Sequence, residues 1–117
     1  DGDADSGNAR LTAAQMRKVA IRFDAGGGRR LSTAQMAGAV NLSESWFSQV
    51  FKNTTGLTPY QWQMNKRLEE ARDLLSGTDL SVADIAERLG FSDQAHLTRT
   101  FRQFVGETPA SWRRSQQ

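Results

Sequence analysis

The chain has 117 residues, 24% of them charged and 38% hydrophobic, with two prolines, one histidine and no cysteine. That length holds one compact core or two units of roughly 50 residues sharing a helix, and is too short for a large enzyme with a separate cofactor domain. Lack of cysteine removes disulfides, thiolate catalysis and cysteine zinc sites, while the formal charge of +2 becomes +4, 14 basic against 10 acidic side chains, once the acidic opening DGDADSGNAR is set aside, a balance that suits a polyanionic partner without requiring one.

No long apolar run suggests a membrane span and no signal peptide opens the chain, so a reducing cytoplasmic setting is expected. A start at Asp rather than Met points to a processed chain or a piece of something longer. Residues 1–10 are small, polar and poor in apolar side chains, and read as a flexible tail or inter-domain linker. Thr12 then caps a first helix to about Phe23, with Met16, Val19, Ala20 and Phe23 on one face. The segment Asp24-Ala-Gly-Gly-Gly-Arg-Arg30 stops it. Its glycines lack the Lys-Ser/Thr of a phosphate loop, which leaves a flexible connector whose Arg29 and Arg30 are candidates for DNA-backbone contact.

An internal repeat organises the rest. Leu31-Ser-Thr-Ala-Gln-Met-Ala37 lines up with Leu80-Ser-Val-Ala-Asp-Ile-Ala86, forty-nine positions on, and Leu42-Ser-Glu44 continues in register with Phe91-Ser-Asp93. One residue is then inserted, after which Phe51-Lys-Asn-Thr-Thr-Gly-Leu-Thr-Pro59 matches Phe101-Arg-Gln-Phe-Val-Gly-Glu-Thr-Pro109 at a spacing of fifty, and Trp62 matches Trp112. In each copy a serine, Ser32 or Ser81, caps a short helix whose apolar face is Ala34, Met36, Ala37 and Val40, or Ala83, Ile85, Ala86 and Leu89. That helix ends at Asn41 or Gly90, the residue types that best tolerate a left-handed turn. Leu42 or Phe91 plugs the turn, and Ser43 or Ser92 caps a second helix with an acid, Glu44 or Asp93, at its favoured end. A helix of about eight residues, a turn of three or four and a helix of about twelve is the helix-turn-helix unit.

Between the copies, Thr58-Pro59 opens a helix that runs to about Ser76 and is ended by Gly77. Tyr60, Met64, Leu68, Ala71 and Leu75 form its apolar stripe, and Gln61, Gln63, Lys66, Glu69, Glu70 and Asp73 occupy the rest. The expected fold is therefore all-α, with residues 11–57 and 78–117 as two helix-turn-helix subdomains joined by a linker helix over 58–77.

In such a unit the second helix buries one face and offers the other to base edges in the major groove. In the first copy Phe47, Val50 and Phe51 face the core, leaving Ser45, Ser48, Gln49 and Lys52 along the opposite stripe. In the second, Leu97, Phe101 and Phe104 are core, and Gln94, Ala95, Thr98, Arg99 and Arg102 are the stripe, with His96 at its edge. Arg99 suits the O6 and N7 of guanine, Gln49 and Gln94 suit adenine, Ser48 and Thr98 are short adaptable donors or acceptors, and Ala95 suits a thymine methyl. Lys52 and Arg102, with the helix starts at Ser32, Ser43, Ser81 and Ser92, are placed for phosphates.

Taken singly, each polar residue is the ordinary surface of an amphipathic helix; recurrence at the same place in two copies is what favours base reading. Trp46 is either a packing residue or a base-edge contact, packing being preferred. Trp62 and Trp112 read as core anchors, and Met16, Met36 and Met64 as core filler. His96 has no second ligand to make a metal site. Adjacent Glu69 and Glu70 diverge by about 100° on a helix, which does not suit a catalytic pair. No metal, cofactor or enzymatic activity is expected. The competing reading is a helical protein-protein interaction module.

The chain resembles the AraC/XylS family of bacterial transcription regulators over about residues 11–114, most tellingly in Gly56-Leu-Thr-Pro59, Lys66-Arg67, Ala71-Arg-Asp-Leu-Leu75, Ile85-Ala86, Gly90-Phe-Ser-Asp93, Leu97-Thr-Arg-Thr-Phe101, Gly106-Glu-Thr-Pro109 and Trp112-Arg113. The resemblance implies a seven-helix DNA-binding domain whose two recognition helices enter successive major grooves of promoter DNA, with base contacts at Ser45, Ser48 and Gln49 and at Gln94, Ala95, His96, Thr98 and Arg99. A linker of about eighteen residues spans roughly 27 Å against a groove repeat of about 34 Å, so bending of the DNA is expected. Asn41 departs from the usual glycine. The resemblance further implies a sensory or dimerisation domain, commonly N-terminal, and RNA polymerase as a partner.

Overall fold

The computed structural model describes residues 8–27 and 29–116. Among the described residues there are seven helices and no strand: α1 (Ala13–Ala25), α2 (Thr33–Ala39), α3 (Glu44–Thr55), α4 (Pro59–Gly77), α5 (Val82–Arg88), α6 (Gln94–Val105) and α7 (Pro109–Ser115). None of them is long and apolar enough to cross a membrane. The expected tail lies outside the described residues up to Gly7, as does Gly28 of the glycine run. Ala9 and Leu11 are tied to α3, where Asn53 Nδ2 donates to Ala9 O at 3.0 Å and Thr54 Oγ1 accepts from Leu11 N at 2.8 Å.

The helix starts follow from side-chain oxygens that satisfy main-chain donors left over in a first turn. Thr12 with Gln15, and Ser32 with Gln35, form reciprocal capping boxes, and Thr58 with Gln61 makes the same pair of bonds at 3.1 and 3.0 Å. Ser43, Ser81 and Thr108 cap α3, α5 and α7. The second recognition helix departs from expectation: its cap is Asp93, whose Oδ1 accepts from His96 N at 2.7 Å, and not Ser92. The inserted residue of the second copy thus falls just before the cap, so Asp93 stands where Ser43 stands and the register of fifty begins there.

The turns repeat closely. Asn41 takes φ 58° and Gly90 φ 81°, and the following main-chain N–H groups, of Leu42 and Phe91, reach back to Ala37 O and Ala86 O at 3.1 and 3.0 Å. These long backward bonds close each short helix and set the direction of the next. Gly56 and Gly106, at φ 76° and 99°, end α3 and α6 alike.

The chain forms two compact units, one of Arg30–Gln63 with the residues before Gly27, the other built on the residues from Met64 onward. The first core gathers Leu11, Val19, Phe23, Leu31, Met36, Ala37, Val40, Phe47, Val50, Phe51 and Trp62. Trp62 meets Phe23 and Phe51 edge-on, both with ring centres 5.7 Å apart. The second core gathers Met64, Leu68, Ala71, Leu75, Ile85, Ala86, Leu89, Phe91, Leu97 and Phe101, with Trp112 partly buried against it.

Several expected positions change sides. Ala34 and Ala83 are exposed, because a seven-residue helix has only about two turns and Met36, Ala37, Ile85 and Ala86 take its buried face. Phe104 is 38% exposed, while Thr100 is buried. At a spacing of fifty Thr100 is the counterpart of the buried Val50, and Phe104 the counterpart of Thr54 at the helix edge. On α4, Tyr60 is 41% exposed and Gln63 only 1%, the reverse of the expected stripe, because Gln63 finds two main-chain partners inside the first unit.

Candidate nucleic-acid interface

Each unit presents its second helix with one face embedded and the other bare. On α3, Phe47, Val50 and Phe51 are buried, with the Phe47 and Phe51 rings stacked at 5.1 Å. On α6 the buried positions are Leu97, Thr100 and Phe101. Burial at i, i+3 and i+4 fixes the helix rotation, so the opposite positions turn to solvent whatever their chemistry.

On α3 those positions are Ser45, Gln49 and Lys52, exposed, and Ser48, half-buried. On α6 they are Gln94, Ala95, Arg99 and Arg102, exposed, and His96 and Thr98, half-buried. The register set by the Asp93 cap aligns the two faces residue by residue: Ser45 with Ala95, Trp46 with His96, Ser48 with Thr98, Gln49 with Arg99, and Lys52 with Arg102. Trp46 is 37% exposed and borders this face at the position that His96 takes on α6. The sequence held a signal for it, since aligning the recognition helices at fifty rather than forty-nine pairs Trp46 with His96.

Local contacts set what the face offers. Ser92 N donates to His96 Nδ1 at 3.3 Å, with Ser92 Oγ at 3.2 Å from the same nitrogen, and the His96 ring stands edge-on to Phe91 at 5.1 Å. A main-chain N–H can only donate, so this bond leaves Nδ1 as the acceptor and puts the imidazole proton on Nε2. Among the described residues neither Arg99 nor Arg102 has a salt-bridge partner, so both guanidinium groups keep their donors for an external acceptor.

The expected backbone-contact residues divide. Lys52 and Arg102 lie in the last turns of α3 and α6. The hydroxyls of Ser32, Ser43 and Ser81 accept from the main chain of their own helices. Ser92 caps nothing and instead supports His96. Among the described residues no group of three or more His, Asp or Glu side chains is arranged to hold a metal ion.

Two tandem helix-turn-helix units, each with an exposed polar stripe on its second helix, define the class: an all-helical domain of paired helix-turn-helix units. A helix-turn-helix domain family matches residues 36–115, and the chain belongs to this family, in its AraC/XylS branch. Among solved structures it is similar to the DNA-binding domain of the global transcriptional factor AdpA in complex with a target DNA, at 28% identity and a TM-score of 0.78 over 89% of this chain and 93% of that one. It is also similar to an AraC-type transcriptional regulator from Chromobacterium violaceum, at 28% identity and a TM-score of 0.79 over 88% and 92%. Among curated relatives, the regulatory protein PocR of Salmonella typhimurium is 35% identical over 99 residues, 85% of this chain and 33% of that protein. The transcriptional activator NphR of a Rhodococcus species is 38% identical over 84 residues, 72% and 25%. The chain spans about a third of the length of the first curated relatives it matches, 34%, 33% and 33%.

Proposed function

We infer that this chain is the promoter-reading part of a bacterial transcription regulator, binding double-stranded DNA sequence-specifically through α3 and α6, each in a major groove, with the two grooves successive along one duplex. The observation that carries the reading is the duplicated face: two helices of the same length, held by the same buried pattern, present matched polar positions to solvent. A single amphipathic helix would be ordinary surface; the repetition matches a ligand that itself repeats every helical turn.

Roles follow from side-chain chemistry. Arg99 pairs bidentately with guanine, Gln94 and Gln49 read adenine, Ala95 meets a thymine methyl, and Ser45, Ser48 and Thr98 adapt to their neighbours. His96 offers its Nε2–H to an acceptor on a base edge, and Trp46 lays its exposed edge at the corresponding place in the other groove. Lys52 and Arg102 hold phosphates, as do the main-chain donors beside Ser32, Ser43, Ser81 and Ser92. The domain performs no catalysis. In the whole protein, acting in the cytoplasm, it is joined to an N-terminal effector or dimerisation domain and works on RNA polymerase.

Selection of bound duplexes from a randomised pool, followed by footprinting of the recovered site, tests this. The expected result is a bipartite site with two protected blocks about one helical turn apart. Recovery of no consensus, together with binding that ignores salt, would leave a protein-docking module in its place.

A further inference from the structure

Outside the two recognition helices, one cation of the first unit is stacked on an aromatic ring. The Arg30 guanidinium carbon lies 4.8 Å from the centre of the Tyr60 ring, and both side chains are exposed. Stacking of this kind occupies one flat side of the guanidinium and leaves its edge, where the N–H donors lie, pointing outward. The main chain next to it is pinned as well, because Leu31 N donates to Gln63 Oε1 at 2.8 Å and Gln63 Nε2 donates to Leu31 O at 2.9 Å. Tyr60 and Gln63 are one turn apart on α4, so a single turn of helix anchors Arg30 by its side chain and its neighbour by the main chain. Among the described residues no carboxylate forms a salt bridge with Arg30.

We propose that Arg30, oriented by Tyr60, is a preformed site for one phosphate group of the DNA backbone, flanking the groove entered by α3. The inference rests on the DNA-reading function proposed above. Arg30 stands just ahead of α2, the first helix of its helix-turn-helix, and in that motif the first helix crosses the sugar-phosphate backbone while the second lies in the groove. A planar cation with its edge free matches the paired oxygens of a phosphodiester. Fixing it before binding removes part of the side-chain entropy that a free arginine gives up on contact.

The test is the salt dependence of binding by the full 117-residue chain to a random-sequence duplex, comparing wild type with Arg30→Ala, Arg30→Lys and Tyr60→Leu, after thermal melts establish that each variant is folded. Loss of one phosphate contact lowers the slope of log Kobs against log salt by about 0.9, so the advantage of wild type over Arg30→Ala shrinks about 3.5-fold between 50 and 200 mM salt. Arg30→Lys and Tyr60→Leu retain a positive charge at position 30, so each is expected to keep the wild-type slope and to bind more weakly at every salt concentration. An unchanged slope in Arg30→Ala, or wild-type affinity in Tyr60→Leu, overturns the site. A wild-type chain whose binding does not respond to salt would instead sink the DNA-reading function, so the two failures are separable.

Discussion

The amide of Gln63 closes a ring with the main chain of Leu31, accepting from its N–H at 2.8 Å and donating to its carbonyl at 2.9 Å inside the first unit. Fifty positions on, Arg113 makes the corresponding tie in the second unit, from Nε to Leu75 O at 2.9 Å and from Nη2 to Thr78 O at 3.1 Å. In each copy the residue after the anchoring tryptophan fastens the segment that leads into the first helix of the helix-turn-helix.

Gln63→Ala strands a buried donor and a buried acceptor at Leu31. The expected cost is about 1–3 kcal/mol of stability, read as a lower urea midpoint at constant slope. A loss below about 0.5 kcal/mol would mean that water or another side chain replaces the amide.

Asn41 holds a left-handed backbone at φ 58°. Asn41→Ala keeps the turn but places a residue there without a local polar compensation, so it is expected to cost about 1 kcal/mol. Asn41→Gly is expected to be neutral or slightly stabilising. If both variants unfold at the same urea concentration, conformational preference at this turn is not what holds it.

Arg99→Ala and Lys52→Ala separate reading from holding. The first is expected to relax preference at a single base pair by about 1–3 kcal/mol, and the second to weaken all sequences alike with a smaller salt slope. Competition among single-base variants of the selected site measures both, and an unchanged ranking of sites in Arg99→Ala removes its assigned role.

Trp46 is 37% exposed, so removing its ring is expected to cost about 1 kcal/mol of stability, and Trp46→Ala is expected to weaken binding of the folded protein to the selected duplex. Large destabilisation with unaltered affinity in the folded fraction would return Trp46 to a packing role.

The bond from Ser92 N to His96 Nδ1 fixes which imidazole nitrogen carries the proton. Long-range nitrogen-proton correlation spectra of the uncharged ring are expected to show Nε2 protonated and Nδ1 bare. A majority of the opposite tautomer would contradict the geometry and, with it, the donor role given to His96.

Local rules made much of this protein legible. A serine or threonine ahead of an apolar pattern, a residue tolerant of positive φ between two helices, and a proline at a first helical position act within four or five residues. They identified α1 to α6 and both turns without any knowledge of packing. The repeat did the rest, because two copies of one pattern constrain each other. What these rules leave open is of two kinds: a partner distant in sequence, and a choice between close neighbours for one role. Gln63 looks like surface on α4 until Leu31, thirty-two positions earlier, supplies both halves of its hydrogen bonding. Phe104 looks like core, but Thr100 on the same helix takes the buried place, and Ser92 looks like a cap until its neighbour Asp93 takes the bond.

By itself the sequence determined the kind of helices, their order, the tandem units and the polar chemistry that each second helix carries, since these depend on short-range capping and periodicity. Only the tertiary structure decided which member of each near-equivalent pair is buried, how much of Trp46 is left exposed, and that Arg30 is braced on Tyr60. A polar side chain is buried when a distant main-chain group satisfies it, and an aromatic ring is exposed when its volume in the core is already filled. Neither condition can be written in terms of neighbours along the chain.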